Sequence, residues 1–198
     1  MAETPTTLRS GKSLPEIIAA SELSDEAQAL FAGDQTPKEY VELLIERKHY
    51  PDAVRLLAHA LPKREAVWWA WVSAKRIAGE DPPPEIRAVL QATEAWIKEP
   101  TDRNRRVAMA MAEAADFSTA AGCAGLAAFF SGDSLAPPDV DAVLPGEYMA
   151  AKAIAGSIVL AAVSVEPEKA NEKFQGFIEQ GMVVADKIQL WTPPEAGL

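Results

Sequence analysis

TPKEYVELLIERKHYPDAVRLLAHALPKREAVWWAWVSAKR, residues 36–76, decides the fold class. Thr36 stands at an N-cap position, Pro37 at N1 and Glu39 at N3, a capping box with proline where a helix tolerates it. Tyr40, Leu43 and Leu44 follow at three- and four-residue spacing, and the alkyl stem of Lys48 extends their face. Pro51 starts a second helix, in which Val54, Leu57, Ala58 and Leu61 repeat the period. After Pro62 a third helix carries the tryptophans to about Ala78, where Gly79 and the run DPPP close it. Helices joined by turns this short fold back on one another as hairpins.

Working outward, Ser24 caps a short helix through Phe31, closed by Gly33. Further helices are predicted over 84–98, 102–117, 119–131, 145–165 and 167–190, and 131–145 is the longest connection. The fold class is therefore all-α, an irregular bundle or a short stack of antiparallel helical hairpins. A helical-repeat arrangement is the alternative, although no consensus recurs at a fixed period. Residues 1–20 read as a flexible arm whose apolar end, Leu14–Ala20, can dock on the body. Residues 21–191 read as one helical domain, divisible into 21–98 and 101–191, and 192–198 as a frayed tail.

Three of the five tryptophans fall at positions 68, 69 and 71. At about 100° per residue, Val67, Ala70, Trp71, Ala74 and Ala78 share one side of the helix, an ordinary core stripe. Trp68 lies at its margin, and Trp69 points away from it, toward Glu65 and Arg76. The three rings cannot form one platform. Either the helix is central and packed on both sides, or Trp68 and Trp69 are exposed as a partner-binding flank.

Nineteen basic and twenty-nine acidic residues give a formal net charge of −10. This excludes general nucleic-acid or anionic-membrane binding, which needs a positive footprint. Between Val107 and Ala151 there are six acidic residues and no lysine or arginine, so the 131–147 loop is a candidate contact for a basic partner. The densest basic cluster is Lys98 with Arg103, Arg105 and Arg106. Its arginines fall early in a helix, where the dipole disfavours cations, so acidic neighbours or an anionic partner should accompany them. The most hydrophobic segment, 149–165, contains Lys152 and is short for a membrane span; a buried helix is expected.

Signs of catalysis are weak. Gly11-Lys12-Ser13 resembles the end of a phosphate-binding loop, but Thr6 occupies the required upstream glycine position and no strand precedes it. His49 and His59 lack a metal-ligand pattern; His49 reads as a helix-end contact and His59 as near-surface. Cys123 has no local base and reads as a small core residue. Gly122 and Gly125, with Ala155, Gly156 and Ala161, predict close packing of their two helices. No metal and no cofactor are expected. A start without a long apolar stretch and a lone cysteine point to a bacterial-type cytoplasmic protein.

The block YPDAVRLLAHALPKREAVWWAWVSAKR, residues 50–76, resembles an uncharacterised family of small bacterial helical proteins. The resemblance implies a helical fold and a bacterial cytoplasmic setting, accessory to a larger protein system such as secretion. It supplies no catalytic residue. The expected function is a non-enzymatic interaction or adaptor protein contacting a protein partner or a second copy. Its candidate contacts are Trp68, Trp69, Arg103, Arg105, Arg106 and the acidic loop. The alternative is a small-ligand binder or enzyme with a pocket between the two helical halves.

Overall fold

The computed structural model describes residues 7–137 and 139–192. These form ten α-helices and one 3-10 turn, and no strand occurs among them. The chain makes two compact units, one of residues 1–62 with 171–198 and the other of residues 63–170. The sequence reading placed a division near 98–101. That point instead lies inside the second unit, where the helices on either side pack on each other.

In the first unit, α1 (Leu14–Ala20) and α3 (Pro37–Glu46) both pack on α4 (Tyr50–Ala60). The capping box read at Thr36 is present: Glu39 receives the Thr36 amide at 2.8 Å and returns its own amide to the Thr36 hydroxyl at 3.2 Å. A second box, Ser13 with Glu16, starts α1. The chain from Thr7 to Ala20 is consequently folded rather than a loose arm, with Leu8, Leu14 and Ile17 buried. The rest of the expected arm, residues 1–6, and residues 193–198 of the expected tail lie outside the described residues. The serine of the false phosphate loop is thus a helix cap.

The unit closes through α10 (Ala170–Lys187). Tyr50 stacks on Phe174 with ring centres 6.2 Å apart and accepts a hydrogen bond from Gln175 at 2.8 Å. Asp52 is buried and accepts from the amide and hydroxyl of Ser24, both at 2.9 Å, which fixes the cap of α2 (Asp25–Ala29). Burial, together with the Asp52 charge, pushes the Tyr40 phenol up to about 12; its hydroxyl donates to the Ala27 carbonyl at 2.7 Å. His59, expected near the surface, is buried, and its Nδ1 donates to the Arg55 carbonyl at 2.8 Å. This four-residue back-bond satisfies Nδ1 within the helix itself. His49 is the N-cap residue of α4, 3.7 Å from Asp52.

The second unit holds α5 (Lys63–Ala78), α6 (Pro84–Lys98), α7 (Asp102–Ala114), α8 (Ala120–Phe130) and α9 (Met149–Val163). Helix α8 packs on all four others. Its sequence AAGCAGLAAFF is apolar all round, the signature of a helix enclosed by neighbours. Small residues allow that enclosure. A Cβ on Gly125 would fall 2.7 Å from Val89 of α6 and 3.0 Å from Ala112 of α7. The close pairing of α8 with α9 is also present, with Gly156 beside Cys123 and the Ser157 hydroxyl donating to the Ala120 carbonyl at 2.7 Å. Gly125, however, serves the α6–α7 side rather than α9.

On α5 the buried residues are Ala66, Val67, Trp69, Ala70, Ser73 and Ala74. They sweep an arc of about 160° at about 100° per residue. The arc is centred near Ala66 and Ala70, whereas the stripe expected from the sequence centres near Val67 and Ala74. The tryptophan assignments therefore exchange: Trp69 is fully buried, and Trp71 and Trp68 are half-buried. Periodicity gave the helix but not the centre of its buried arc, because apolar residues occupy almost every direction. Trp69→Ala should lower stability by about 3–5 kcal/mol, the usual cost of emptying a buried aromatic site, as read by urea denaturation.

Candidate functional site

The basic cluster and the acidic connection meet at the end of α8. Helix α7 begins with Thr101 capping the Asn104 amide at 3.2 Å and with Asp102 in its first turn, where the helix dipole favours an acid. Its buried stripe runs Arg105, Ala108, Ala112, so an arginine stands at the head of an alanine row that faces the core. That position buries Arg105 to 3% exposure. A buried guanidinium needs its donors filled. Arg105 pairs with Asp102, donates to the Phe129 carbonyl at 3.3 Å and to the Ser134 carbonyl, and lies 5.1 Å from the centre of the Phe129 ring.

Arg106 completes the arrangement. Its Nε donates to the other Asp102 oxygen at 2.7 Å and its Nη2 to the Ala136 carbonyl at 2.6 Å. The hydrogen bond from Arg106 and then the charge of Arg105 hold the Asp102 carboxyl below its usual range. Gly132 gives the guanidinium its room: a Cβ there would stand 2.5 Å from Arg105 Cδ and 2.7 Å from Cζ. The arginine cluster is thus a clasp on the chain leaving α8.

Beyond the clasp the connection doubles back on itself. The Leu135 amide donates to the Val143 carbonyl at 2.7 Å, and the Ser134 hydroxyl receives the amides of Ala136 and Val143 at 3.2 and 3.1 Å. Held this way, residues 139–147 present Val140, Val143 and Leu144 to solvent at 57%, 55% and 73% exposure. Asp139, Asp141 and Glu147 are exposed among them. The sequence reading marked this segment for its acids alone; the apolar residues in PDVDAVLPGEY were the additional signal.

The candidate residues therefore separate. Arg105 and Arg106 are brought together as binders of the protein's own loop, and Arg103 is exposed on the same helix. Burial removes Trp69 as a partner contact, whereas Trp68 keeps partial exposure. Lys98 pairs with Glu94 at 2.7 Å one helical turn away. Cys123 is half-buried, its thiol pushed up by burial and donating to the Phe117 carbonyl at 3.0 Å.

A second feature is an open cleft of about 280 Å³ on α5 and α6. Trp71 lines it, held by its indole N–H donating to the Leu90 carbonyl at 2.8 Å, with the Lys75 ammonium 4.7 Å from its ring centre. Lys75 and Arg87 in this lining are balanced by Glu80 and Glu94. No group of three metal-ligating side chains occurs among the described residues, and no single described helix is long and apolar enough to cross a membrane.

The chain matches the family of unknown function DUF6931 over residues 40–185. It belongs to that family. No curated protein and no solved structure matches it.

Two predictions follow from the clasp. Gly132→Ala should cost about 1–3 kcal/mol by driving Arg105 from its place, whereas Arg103→Ala should change stability by less than about 0.5 kcal/mol; chemical denaturation compares them. Because the folded Asp102 pKa is depressed, its contribution is complete above the ordinary carboxylate range and is lost as pH falls from that range through the lower folded value. Amide exchange at Leu135, corrected for its intrinsic rate, should accelerate over that acid interval. Asp102→Asn should exchange faster at neutral pH and lose the acid step.

Proposed function

We propose that this protein is a non-enzymatic helical interaction or adaptor protein of the bacterial cytoplasm, and that the 139–147 loop is its contact element. The observation that carries the reading is the exposure of Val140, Val143 and Leu144 on a segment fixed at its base by a buried arginine. Clustered apolar side chains left in water mark contact sites when the surrounding chain is ordered. A loop already held in shape also loses less entropy on binding.

This reading moves the contact away from the tryptophan flank and the arginine patch. The ligand-binding alternative would rest on the Trp71 cleft, which is small, open and balanced in charge. Neither the cleft nor the clasp supplies a nucleophile–base pair, so an interaction role accounts for more of what is exposed.

The test is photocrosslinking in the cells that natively express the protein, with a benzophenone amino acid placed at position 144. A discrete adduct should form, weaken when Val140 and Val143 are both changed to serine, and be missing when the probe is moved to exposed position 183. Adducts of equal yield from positions 144 and 183, or none from 144, would overturn the proposal.

A further inference from the structure

We infer that the 139–147 loop takes a protein partner that presents an apolar strip flanked by lysine or arginine. The inference rests on the interaction reading above and adds the chemistry of the partner. Val140, Val143 and Leu144 are the apolar part of the loop, and Asp139, Asp141 and Glu147 stand on both sides of them. No lysine or arginine occurs from Val107 through Ala151. The two cations at the base of the loop, Arg105 and Arg106, are held by Asp102 and by the carbonyls of Phe129, Ser134 and Ala136. They support the loop from its base while its tip keeps a negative field.

That field selects among occupants. A second copy would bring its own acidic loop and a net charge of −10 to the contact, which opposes self-association. Anionic lipid and nucleic acid are repelled for the same reason. A basic protein surface is attracted, and an apolar strip on it gives the three side chains somewhere to be buried. The tip is small beside a standard interface, so the complex should be transient. The division of labour is definite: the acids accelerate encounter, and the apolar side chains slow release.

The probe is a fluorescent 18-residue amphipathic helix built of leucine and lysine, measured against the full-length protein by anisotropy and stopped flow at physiological salt. Wild type should bind it, and the variant Val140→Ser/Val143→Ser/Leu144→Ser should weaken binding at least tenfold through faster release. The variant Asp139→Asn/Asp141→Asn/Glu147→Gln should slow association and flatten its salt dependence. Val183→Ser should behave as wild type.

Equal binding by the apolar triple variant would overturn the inference, as would equal binding of a lysine–serine peptide of the same charge. Capture of phosphatidylglycerol vesicles through Leu144, or dimerisation through the loop in sedimentation, would overturn it in favour of those occupants. A discrete crosslink from position 144, found together with loop-independent peptide binding, leaves the interaction reading standing and removes only this one. Loss of that crosslink removes both.

Discussion

The arrangement of the second unit depends on how closely backbones can approach α8. Alanine and glycine on this helix leave neighbouring helices nothing to climb over, so α5, α6, α7 and α9 can all reach it. At Gly125 the approach is tight enough that one methyl group would meet both Val89 and Ala112. Such packing replaces large interdigitating side chains with many short van der Waals contacts along the helix. It also brings the start of α7 beside the end of α8, which is why an arginine in one can hold the chain leaving the other. The exposed loop is thus connected to the core through Arg105.

Arg105 shows how a charge can be accommodated inside a small-residue bundle. Its stem follows the alanine stripe, its plane lies near the Phe129 ring, and its donors meet an acid and two carbonyls. A carbonyl at a helix end is itself an unsatisfied acceptor, so the arginine resolves two local deficits at once. Arg64 does the same elsewhere in the unit, donating to the Ile97 and Lys98 carbonyls at the end of α6. Of the four cations that look like a patch in the sequence, Arg105 and Arg106 are fasteners for backbone.

Local chemistry made much of the fold legible. The Thr36 capping box, the start of α6 at Pro84 and the long connection after α8 are all written in neighbouring residues, and each is found. What was misread required knowledge of distant partners. The buried arc of α5 depends on where its neighbours stand, and a helix with tryptophans in three directions does not declare it. The clasp depends on carbonyls at Ser134 and Ala136, far along the chain from Arg105 and Arg106, and a carbonyl has no signature in sequence. Ser13 carries a local signal as well, since Glu16 three residues later spells a helix start.

The order of the chain adds a constraint of timing. The second unit is one uninterrupted segment, whereas the first is made of two segments that flank it. During synthesis from the N-terminus, α1 to α4 emerge before α10 exists, leaving Tyr50 without Phe174 and Gln175, and Arg9 without the Ile188 carbonyl. The later segment can meanwhile assemble from contiguous sequence, since all five of its helices are already present. Segments that are complete in sequence can fold as they appear. The segment made earlier is therefore completed later, and Tyr50 must wait for Phe174 and Gln175 until α10 has emerged.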